Sequence, residues 1–256
     1  MIAKDVFFAL LRSAVSGILT VGDANADYWH RHLPGTPQFS MPYAVDNDFF
    51  REMAQKAAPQ REQFRQSLQL EPGRPVILFA SKLQQRKRCT DLLEATLQLR
   101  AQKPASARPY LLIVGDGEER PALEVRIAAT NSAADIRMLG FRNQMELPRY
   151  FDLCDVFVLP SVHEPYGLIV NEVMNAGRAV IVSDEVGCRD DLIQHGVNGM
   201  VFKAGDVAEL ARSINFVLVS PERTRNMGEQ AQNHICKFDF ERDIAGLRSA
   251  LRLPSI

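Results

Sequence analysis

From residue 75 onward, short apolar runs alternate with longer segments whose apolar residues recur at helical spacing. One such segment is 90–100, in which Leu92, Leu93 and Leu99 fall on one side. This alternation predicts parallel strands joined by right-handed helical crossovers, that is, a doubly wound α/β domain. The predicted strands are 76–80, 110–114, 136–139, 156–159, 180–183 and 200–202. Because ligands of such sheets bind beyond the carboxyl ends of the strands, a site is expected in the loops that follow them.

The first fifty residues do not belong to this repeat. Two short apolar runs, 17–21 and 38–41, read as strands on either side of a helix at 24–32. Two strands do not form a stable sheet on their own. We therefore interpret residues 1–47 as the remnant of a second α/β domain whose earlier part is absent. The apolar run 6–11 is expected to lie on an amphipathic helix whose apolar face needs a cover.

The sequence thus divides into three predicted segments: 1–47 is the remnant, 48–236 is the main α/β domain, and 237–256 follows it. The main domain starts with a polar, helix-rich connector. The last segment carries an amphipathic helix that is expected to return to the N-terminal domain, with its apolar residues at Phe240, Ile244, Leu247 and Leu251.

The bulk composition excludes several classes of protein. Hydrophobic residues make up 46% and charged residues 24% of the 256 residues, as in ordinary globular proteins. With 30 basic against 31 acidic residues, no net charge favours nucleic acid as a partner. The four cysteines are far apart, so we expect reduced thiols in a cytoplasmic protein and no zinc site. No apolar run approaches the ~20 residues of a membrane-spanning helix, and no signal-peptide cleavage site follows the start.

The clearest candidate for chemistry follows the strand at 156–159. Glu164 lies in a loop, and Glu172, eight positions later, lies just over one turn inside a predicted helix. The backbone N–H groups of Gly167 and Leu168 point out of the start of that helix, where the helix dipole also favours an anion. Two glutamates near a helix start are often only capping residues on a solvated face. The strand-loop-helix placement favours instead a site for a phosphorylated, hydroxyl-rich ligand.

A basic loop follows the first strand of the main domain, and its basic residues are Lys82, Arg86, Lys87 and Arg88. A charge run is usually a solvated face. This one lies at the carboxyl end of a strand, where a ligand is expected. There its side chains can neutralise a diphosphate without a metal ion.

A glycine-rich turn, Gly115-Asp116-Gly117, follows the next strand. It is a weak match to the dinucleotide-binding fingerprint, because Arg120 stands where the third glycine belongs. A tight turn after a buried strand is the stronger interpretation. The backbone at Gly115 is also expected to lie close to a ligand.

Taken together, these loops resemble the C-terminal half of a family 4 (group 1) glycosyltransferase of GT-B fold, in which two Rossmann-like domains face each other across a cleft. The match includes the E-x7-E element at 164–172 in the form E-P-Y-G-L-I-V-N-E, the basic loop and the glycine-rich turn. It extends to 139–141 followed by Leu147, and to 196–201. Residues 42–46 resemble the interdomain element at the end of the family's N-terminal domain.

The resemblance implies a role for each matched residue. Glu164 would contact hydroxyls of the donor sugar, and Lys82 and Lys87 would hold the diphosphate of the donor; these three form the predicted catalytic group. Glu172 would bind the ribose hydroxyls. The other implied donor-binding residues are Gly115, Phe141, Arg142, Leu147, Tyr166, Gly167 and Leu168, with 141–147 beside the nucleobase.

The function implied is that of a retaining glycosyltransferase that moves a sugar from a UDP- or GDP-sugar to a glycan or a lipid-linked acceptor. No metal or other cofactor is expected, and the expected location is the cytoplasm or the inner face of the membrane. Most of the family's N-terminal domain is missing, so this chain alone is expected to be incomplete and a separate chain carrying that domain is a candidate partner.

Three other classes of function compete with this one. A non-catalytic nucleotide-sugar-binding subunit, or an inactive fragment, would keep the same donor loops. A sugar-nucleotide epimerase or a phosphorylase would share the architecture, but the sequence carries no motif specific to either. A dinucleotide oxidoreductase is disfavoured by the incomplete glycine fingerprint.

Overall fold

The computed structural model describes residues 2–252, so Met1 and 253–256, at the outer ends of the first and third predicted segments, lie outside the described residues. The strands are β1 (Ile18–Thr20), β2 (Gln38–Ser40), β3 (Val76–Ala80), β4 (Tyr110–Val114), β5 (Ile136–Gly140), β6 (Val156–Leu159), β7 (Ala179–Ser183) and β8 (Gly199–Phe202). Strands β3 to β8 form one parallel sheet in the order β5-β4-β3-β6-β7-β8. The order reverses between β3 and β6, which is the switch point where ligands of such sheets bind.

Helices cover both faces of this sheet. The α-helices are α1 (Ile2–Ala14), α2 (Asp23–His32), α3 (Asn47–Ala57), α4 (Arg61–Ser67), α5 (Cys89–Gln102), α6 (Arg120–Ala129), α7 (Leu147–Leu153), α8 (Leu168–Asn175), α9 (Arg189–Leu192), α10 (Val207–Leu218), α11 (Pro221–Ile235) and α12 (Phe240–Ala250). Of these, α1, α2 and α12 pack against β1 or β2. The predicted doubly wound α/β class is confirmed.

The strands form because both of their faces are buried. Successive residues of β3 alternate between two apolar cores: Leu78 packs towards α3, α7, α8 and α11, and Ile77 packs towards α5, α6 and α10. All five residues of β3 and of β4 are buried. Such strands read as continuous apolar runs, so the sequence located β3, β4 and β6 to the residue.

The predicted N-terminal strands and the helix between them are present as β1, α2 and β2. The two strands pair in parallel, with Ile18 opposite Gln38, and form a small separate sheet. Helix α1 contacts this sheet through Phe8, which is buried against Ile18 and Leu33. Helix α12 packs against both strands, so the last segment of the chain meets the first one.

None of the helices within residues 2–252 combines the length and the apolar character that crossing a bilayer requires. The four cysteines are free thiols, and Cys89, Cys154 and Cys188 are buried.

Candidate functional site

A cavity of about 560 Å³ opens at the carboxyl ends of the strands, beside the switch point. It is lined by residues that directly follow β3, β4, β5 and β6, together with the first turns of α7 and α8. Parallel strands bring these loops to one edge of the sheet although they are distant in sequence. Ten of the eleven predicted site residues line it, namely Lys82, Lys87, Gly115, Phe141, Arg142, Leu147, Glu164, Gly167, Leu168 and Glu172.

Tyr166 is placed differently. Its side chain is 4% exposed and lies in the interior, outside the cavity lining, with its ring edge-on to that of Tyr43 at 5.2 Å. Burial raises the pKa of its hydroxyl well above the ordinary value. The chain turns at Gly167, so the residue before the turn faces the core while the residue after it faces the cavity. Tyr166 therefore belongs to the apolar core that supports the cavity and does not line the cavity itself.

The helix start in the cavity depends on a left-handed residue. Gly167 has φ +104° and directly precedes α8, whose N-terminus has no side-chain cap. A β-carbon there would lie 3.2 Å from Val186 and 3.3 Å from Leu159, so a larger residue would meet both steric contacts and an unfavourable φ. The N–H groups of Leu168 and Ile169 have no side-chain cap and can donate to a ligand, and the helix dipole favours an anion.

Glu164 is already paired inside the cavity. Lys87 is 8% exposed, and its Nζ donates a hydrogen bond to Glu164 Oε2. Arg86 Nη1 lies 3.9 Å from the same oxygen and donates to the carbonyl of His163 at 3.1 Å. Two residues that the sequence predicted for different parts of a ligand thus pair directly with one another.

Lys82 is the exposed cation of the site. It makes no ion pair with any residue of the described part of the chain. It lines the same cavity as Lys87 and the start of α8. An anion between them would meet two ammonium groups and the positive end of a helix dipole.

Glu172 lines the cavity from the second turn of α8 and has no hydrogen-bond or ion-pair partner within residues 6–252. Its burial raises the pKa of the carboxyl group to about 7. An unpartnered acid whose ionised form lacks compensation is suited to accept hydrogen bonds from hydroxyl groups of a ligand.

The part of the cavity wall that follows β5 is aromatic and basic. Phe141 is 71% exposed, which is unusual for so large an apolar ring and leaves one face open at the cavity. Arg142 is held along the wall, because its Nε donates to the Tyr150 hydroxyl at 2.9 Å and its Nη1 to the Phe141 carbonyl at 2.8 Å. A planar heterocycle fits against such a surface.

The glycine-rich turn brings two loops into backbone contact. Gly115 has φ +135°, and a β-carbon there would lie 1.9 Å from the carbonyl oxygen of Ser81. Only glycine lets the loops after β3 and β4 approach so closely. The tight-turn interpretation therefore describes Gly115, and the same turn also places its backbone at the cavity.

The sequence did not single out the other lining residues: Ala80, Ser81, Val114, Asp116 and Ile169. Four of them are the last strand residue or one of the next two residues after β3 and β4, so the switch-point rule alone would have selected them. Within residues 2–252, no group of three His, Cys, Asp or Glu side chains is placed to hold a metal ion.

Comparison with known proteins places the chain in a family. The family model for glycosyl transferases group 1 matches residues 60–234. The chain is 27% identical over 178 residues to the D-inositol 3-phosphate glycosyltransferase of Salinispora arenicola, covering 67% of this chain and 40% of that protein. The curated relatives are longer than this chain, and the matched regions span 34–54% of their lengths.

Solved structures share the fold. HepE of Anabaena, solved with UDP and also with UDP-glucose, superposes with a TM-score of 0.78 at 22% identity over 93% of this chain and 64% of its own. The C-terminal domain of LpcC, a group 1 family protein of Francisella tularensis, gives a TM-score of 0.63 at 18% identity over 76% of this chain and 97% of its own. The architecture is thus a GT-B C-terminal Rossmann-like domain plus a small two-stranded sheet.

Proposed function

This chain belongs to the group 1 glycosyltransferases, and on that basis we propose that its cavity binds a UDP- or GDP-sugar and supplies the donor half of a retaining, metal-independent sugar transfer. The acceptor is a glycan or a lipid-linked molecule. The four free thiols fit a reducing compartment such as the cytoplasm, with attachment to the inner face of the membrane when the acceptor is a lipid.

One observation carries this proposal. Lys82, Lys87 and the uncapped first turn of α8 converge on a single cavity that also holds Glu164 and Glu172. The cations and the helix start suit a diphosphate, and the carboxylates suit the hydroxyl groups on either side of it. A nucleoside diphosphate sugar has this sequence of groups, with ribose, diphosphate and sugar in order.

The same groups would assist the departure of the nucleoside diphosphate. Negative charge grows on the diphosphate as its bond to the sugar breaks. Preplaced ammonium groups and a helix dipole stabilise that charge without having to reorganise. Glu164 would orient the sugar through its hydroxyl groups, and it becomes available when the diphosphate draws Lys87 away from it.

The remaining roles follow from position. Glu172 would accept hydrogen bonds from the ribose hydroxyls, and the wall of Phe141, Arg142 and Leu147 would receive the base. Anabaena HepE, which shares the fold, has been solved with UDP, and this supports a uracil nucleotide as the first ligand to test.

Binding without a metal ion is the direct test. We expect UDP or GDP to bind with the same affinity in excess chelator as in magnesium, because Lys82 and Lys87 replace the metal as the counter-charge of the diphosphate. Isothermal calorimetry in both buffers measures this, with uridine and guanosine as phosphate-free controls. Loss of affinity in chelator would show that the metal-free account of the diphosphate is wrong.

Lys82→Ala tests the cationic loop with little effect on packing, since Lys82 is exposed and unpaired. We expect affinity for the nucleoside diphosphate to fall roughly tenfold, the scale of one charge-assisted hydrogen bond, and to depend less on salt. Lys203→Ala is the matched control, because Lys203 lies after β8 at the same edge of the sheet but outside the cavity lining and pairs with Asp184 at 2.8 Å. Normal binding by Lys82→Ala at moderate ionic strength would show that the basic loop is an ordinary solvent-exposed charged surface with no role in binding the diphosphate.

A non-catalytic nucleotide-sugar-binding subunit is the second candidate, because the same cavity would serve it equally. Both candidates bind the donor. Transfer of radiolabelled sugar to a panel of acceptors separates them, and incubation with the donor alone would expose an epimerase.

A further inference from the structure

We propose that Arg88 and Asp91 form a positioning pair that holds Lys87 in the cavity. The pair makes no contact with the ligand and acts through the backbone. The inference rests on the proposed function only for its consequence in binding, since the position of Lys87 can also be measured without a ligand.

The first observation is the backbone of Arg88. Its φ is +53° and its ψ is +38°, in the left-handed region that residues other than glycine, asparagine and aspartate rarely occupy. Arg88 connects two helical pieces with no intervening loop: it ends the 3₁₀ turn Gln85–Lys87 and directly precedes α5. The strained residue is therefore the joint that sets the direction of the turn that carries Lys87.

The second observation is what holds Arg88 there. Its Nε donates to Asp91 Oδ2 and its Nη2 to Asp91 Oδ1, both at 2.8 Å, in a bidentate ion pair. The Asp91 side chain is 8% exposed and that of Arg88 is 35% exposed, so the carboxylate is shielded from solvent while the guanidinium stays partly exposed. The backbone adds to it, because the N–H of Asp91 donates to the carbonyl of Arg88 at 3.0 Å. A planar guanidinium that forms two hydrogen bonds to one carboxylate restricts the backbone conformation of the residue that carries it.

The joint matters because one side of it is fixed. Helix α5 is anchored in the apolar core by Cys89 and Leu92, which are both fully buried. On the other side, Lys87 is 8% exposed and reaches Glu164. If residue 88 returned to an ordinary right-handed or extended conformation, the preceding peptide would rotate and Lys87 would leave the cavity.

Arg88 itself is absent from the cavity lining, and its Nε and Nη2 donate to Asp91. It is therefore unsuited to bind the diphosphate directly. A general role in stabilising α5 is the competing explanation, since Asp91 lies in the first turn of that helix. The two explanations differ in what glycine does at position 88, because glycine adopts the left-handed conformation without an ion pair.

The experiment compares Arg88→Ala, Arg88→Gly and Asp91→Asn in the full chain. Lysine labelling of the unliganded protein, read by mass spectrometry, reports the exposure of Lys87, with the exposed Lys82 as internal reference. In Arg88→Ala we expect Lys87 to react roughly five- to thirtyfold faster, the factor that corresponds to left-handed strain in an L-residue. Asp91→Asn should shift in the same direction by less. In Arg88→Gly we expect reactivity close to that of the unchanged protein.

The loss of UDP affinity, measured by calorimetry on the same variants, should be largest in Arg88→Ala, smaller in Asp91→Asn and close to zero in Arg88→Gly. In a Lys87→Ala background, Arg88→Ala should cause no further loss of affinity, because the residue through which it acts is already removed. Equal loss in Arg88→Gly and Arg88→Ala, or additive losses in the Lys87→Ala background, would overturn the inference. If Arg88→Ala fails to fold, the other two variants still decide, because Lys87 labelling should be unchanged in Arg88→Gly and faster in Asp91→Asn.

The two proposals fail differently. If Lys87→Ala binds UDP normally, the assignment of the diphosphate to Lys87 is wrong, yet the labelling of Lys87 still decides whether Arg88 positions it. If Lys87→Ala weakens binding while Lys87 labelling is unchanged in Arg88→Ala, the proposed function stands and the positioning pair is refuted.

Discussion

Glu172→Gln is expected to weaken nucleoside diphosphate binding by roughly ten- to a hundredfold at pH 8, as measured by calorimetry. The mutation removes charge-assisted hydrogen bonds from the ribose hydroxyls, and bonds to charged groups contribute about 1.5–3 kcal/mol. Glu164→Gln is the matched comparison, because it makes the same change at the other cavity glutamate. It should leave the nucleoside diphosphate nearly unaffected and impair recognition or transfer of the sugar. Equal losses in both variants, with the diphosphate alone, would show that these roles are assigned wrongly.

The same substitution should stabilise the unliganded protein at high pH. Burial raises the pKa of Glu172 to about 7 from an ordinary value of 4.5. Ionising it therefore destabilises the folded state relative to the unfolded one, by an amount that is absent below pH 4.5, grows between pH 4.5 and 7, and is complete above pH 7. Glutamine removes this cost, and even a third of it, ~1 kcal/mol, would raise the melting temperature by roughly 2–4 °C at pH 8 in a chain of this length. Thermal melts at pH 4.5 should show little difference.

Binding should carry the same pH signature. If the ionised carboxylate accepts hydrogen bonds from the ribose, affinity increases as the pH rises through 7 and then levels off. Glu172→Gln should abolish that dependence. Removal of Glu172 is thus expected to weaken ligand binding and to stabilise the unliganded protein. This combination is typical of a residue maintained for function.

The fold was predictable because it depends on local patterns. Strands buried on both faces are continuous apolar runs, and β3 and β6 were located to the residue for that reason. The structure extends β5 by one residue at its end and β8 by one at its start, because Gly140 and Gly199 carry no apolar side chain to mark them; β7 also starts one residue earlier than predicted, at Ala179. The gathering of the loops also followed from topology, because parallel strands present their carboxyl ends at one edge.

What the sequence did not reveal depends on conformation and on contacts between distant residues. The pairing of Lys87 with Glu164 joins two loops 77 positions apart, and no local pattern encodes it. The inward orientation of Tyr166 follows from the turn at Gly167. The left-handed backbone of Arg88 is hidden for a related reason, since arginine is not a residue from which that conformation is expected.

The chain of residues 1–256, expressed alone, is expected to self-associate and to show no sugar transfer until an N-terminal domain is added. Helix α1 buries Phe8 against the small sheet, but Val6, Phe7 and Leu10 are 54%, 57% and 68% exposed. Strands β1 and β2 form a two-stranded sheet in which each strand has one unpaired edge, which favours pairing with another chain. Exposed apolar residues also lie along α12, at Phe240, Ile244 and Leu247, and directly after it, at Leu251.

Light scattering after size exclusion, together with binding of a hydrophobic dye, measures this association. Phe7→Glu combined with Leu10→Glu should reduce both signals, because charged side chains on that face oppose its burial. Val125→Glu is the matched control: Val125 is 70% exposed on α6, far from the small sheet in sequence and alone on its surface turn. A monodisperse monomer with measurable transferase activity would contradict the expectation, since it would mean that the first fifty residues already provide a complete acceptor platform.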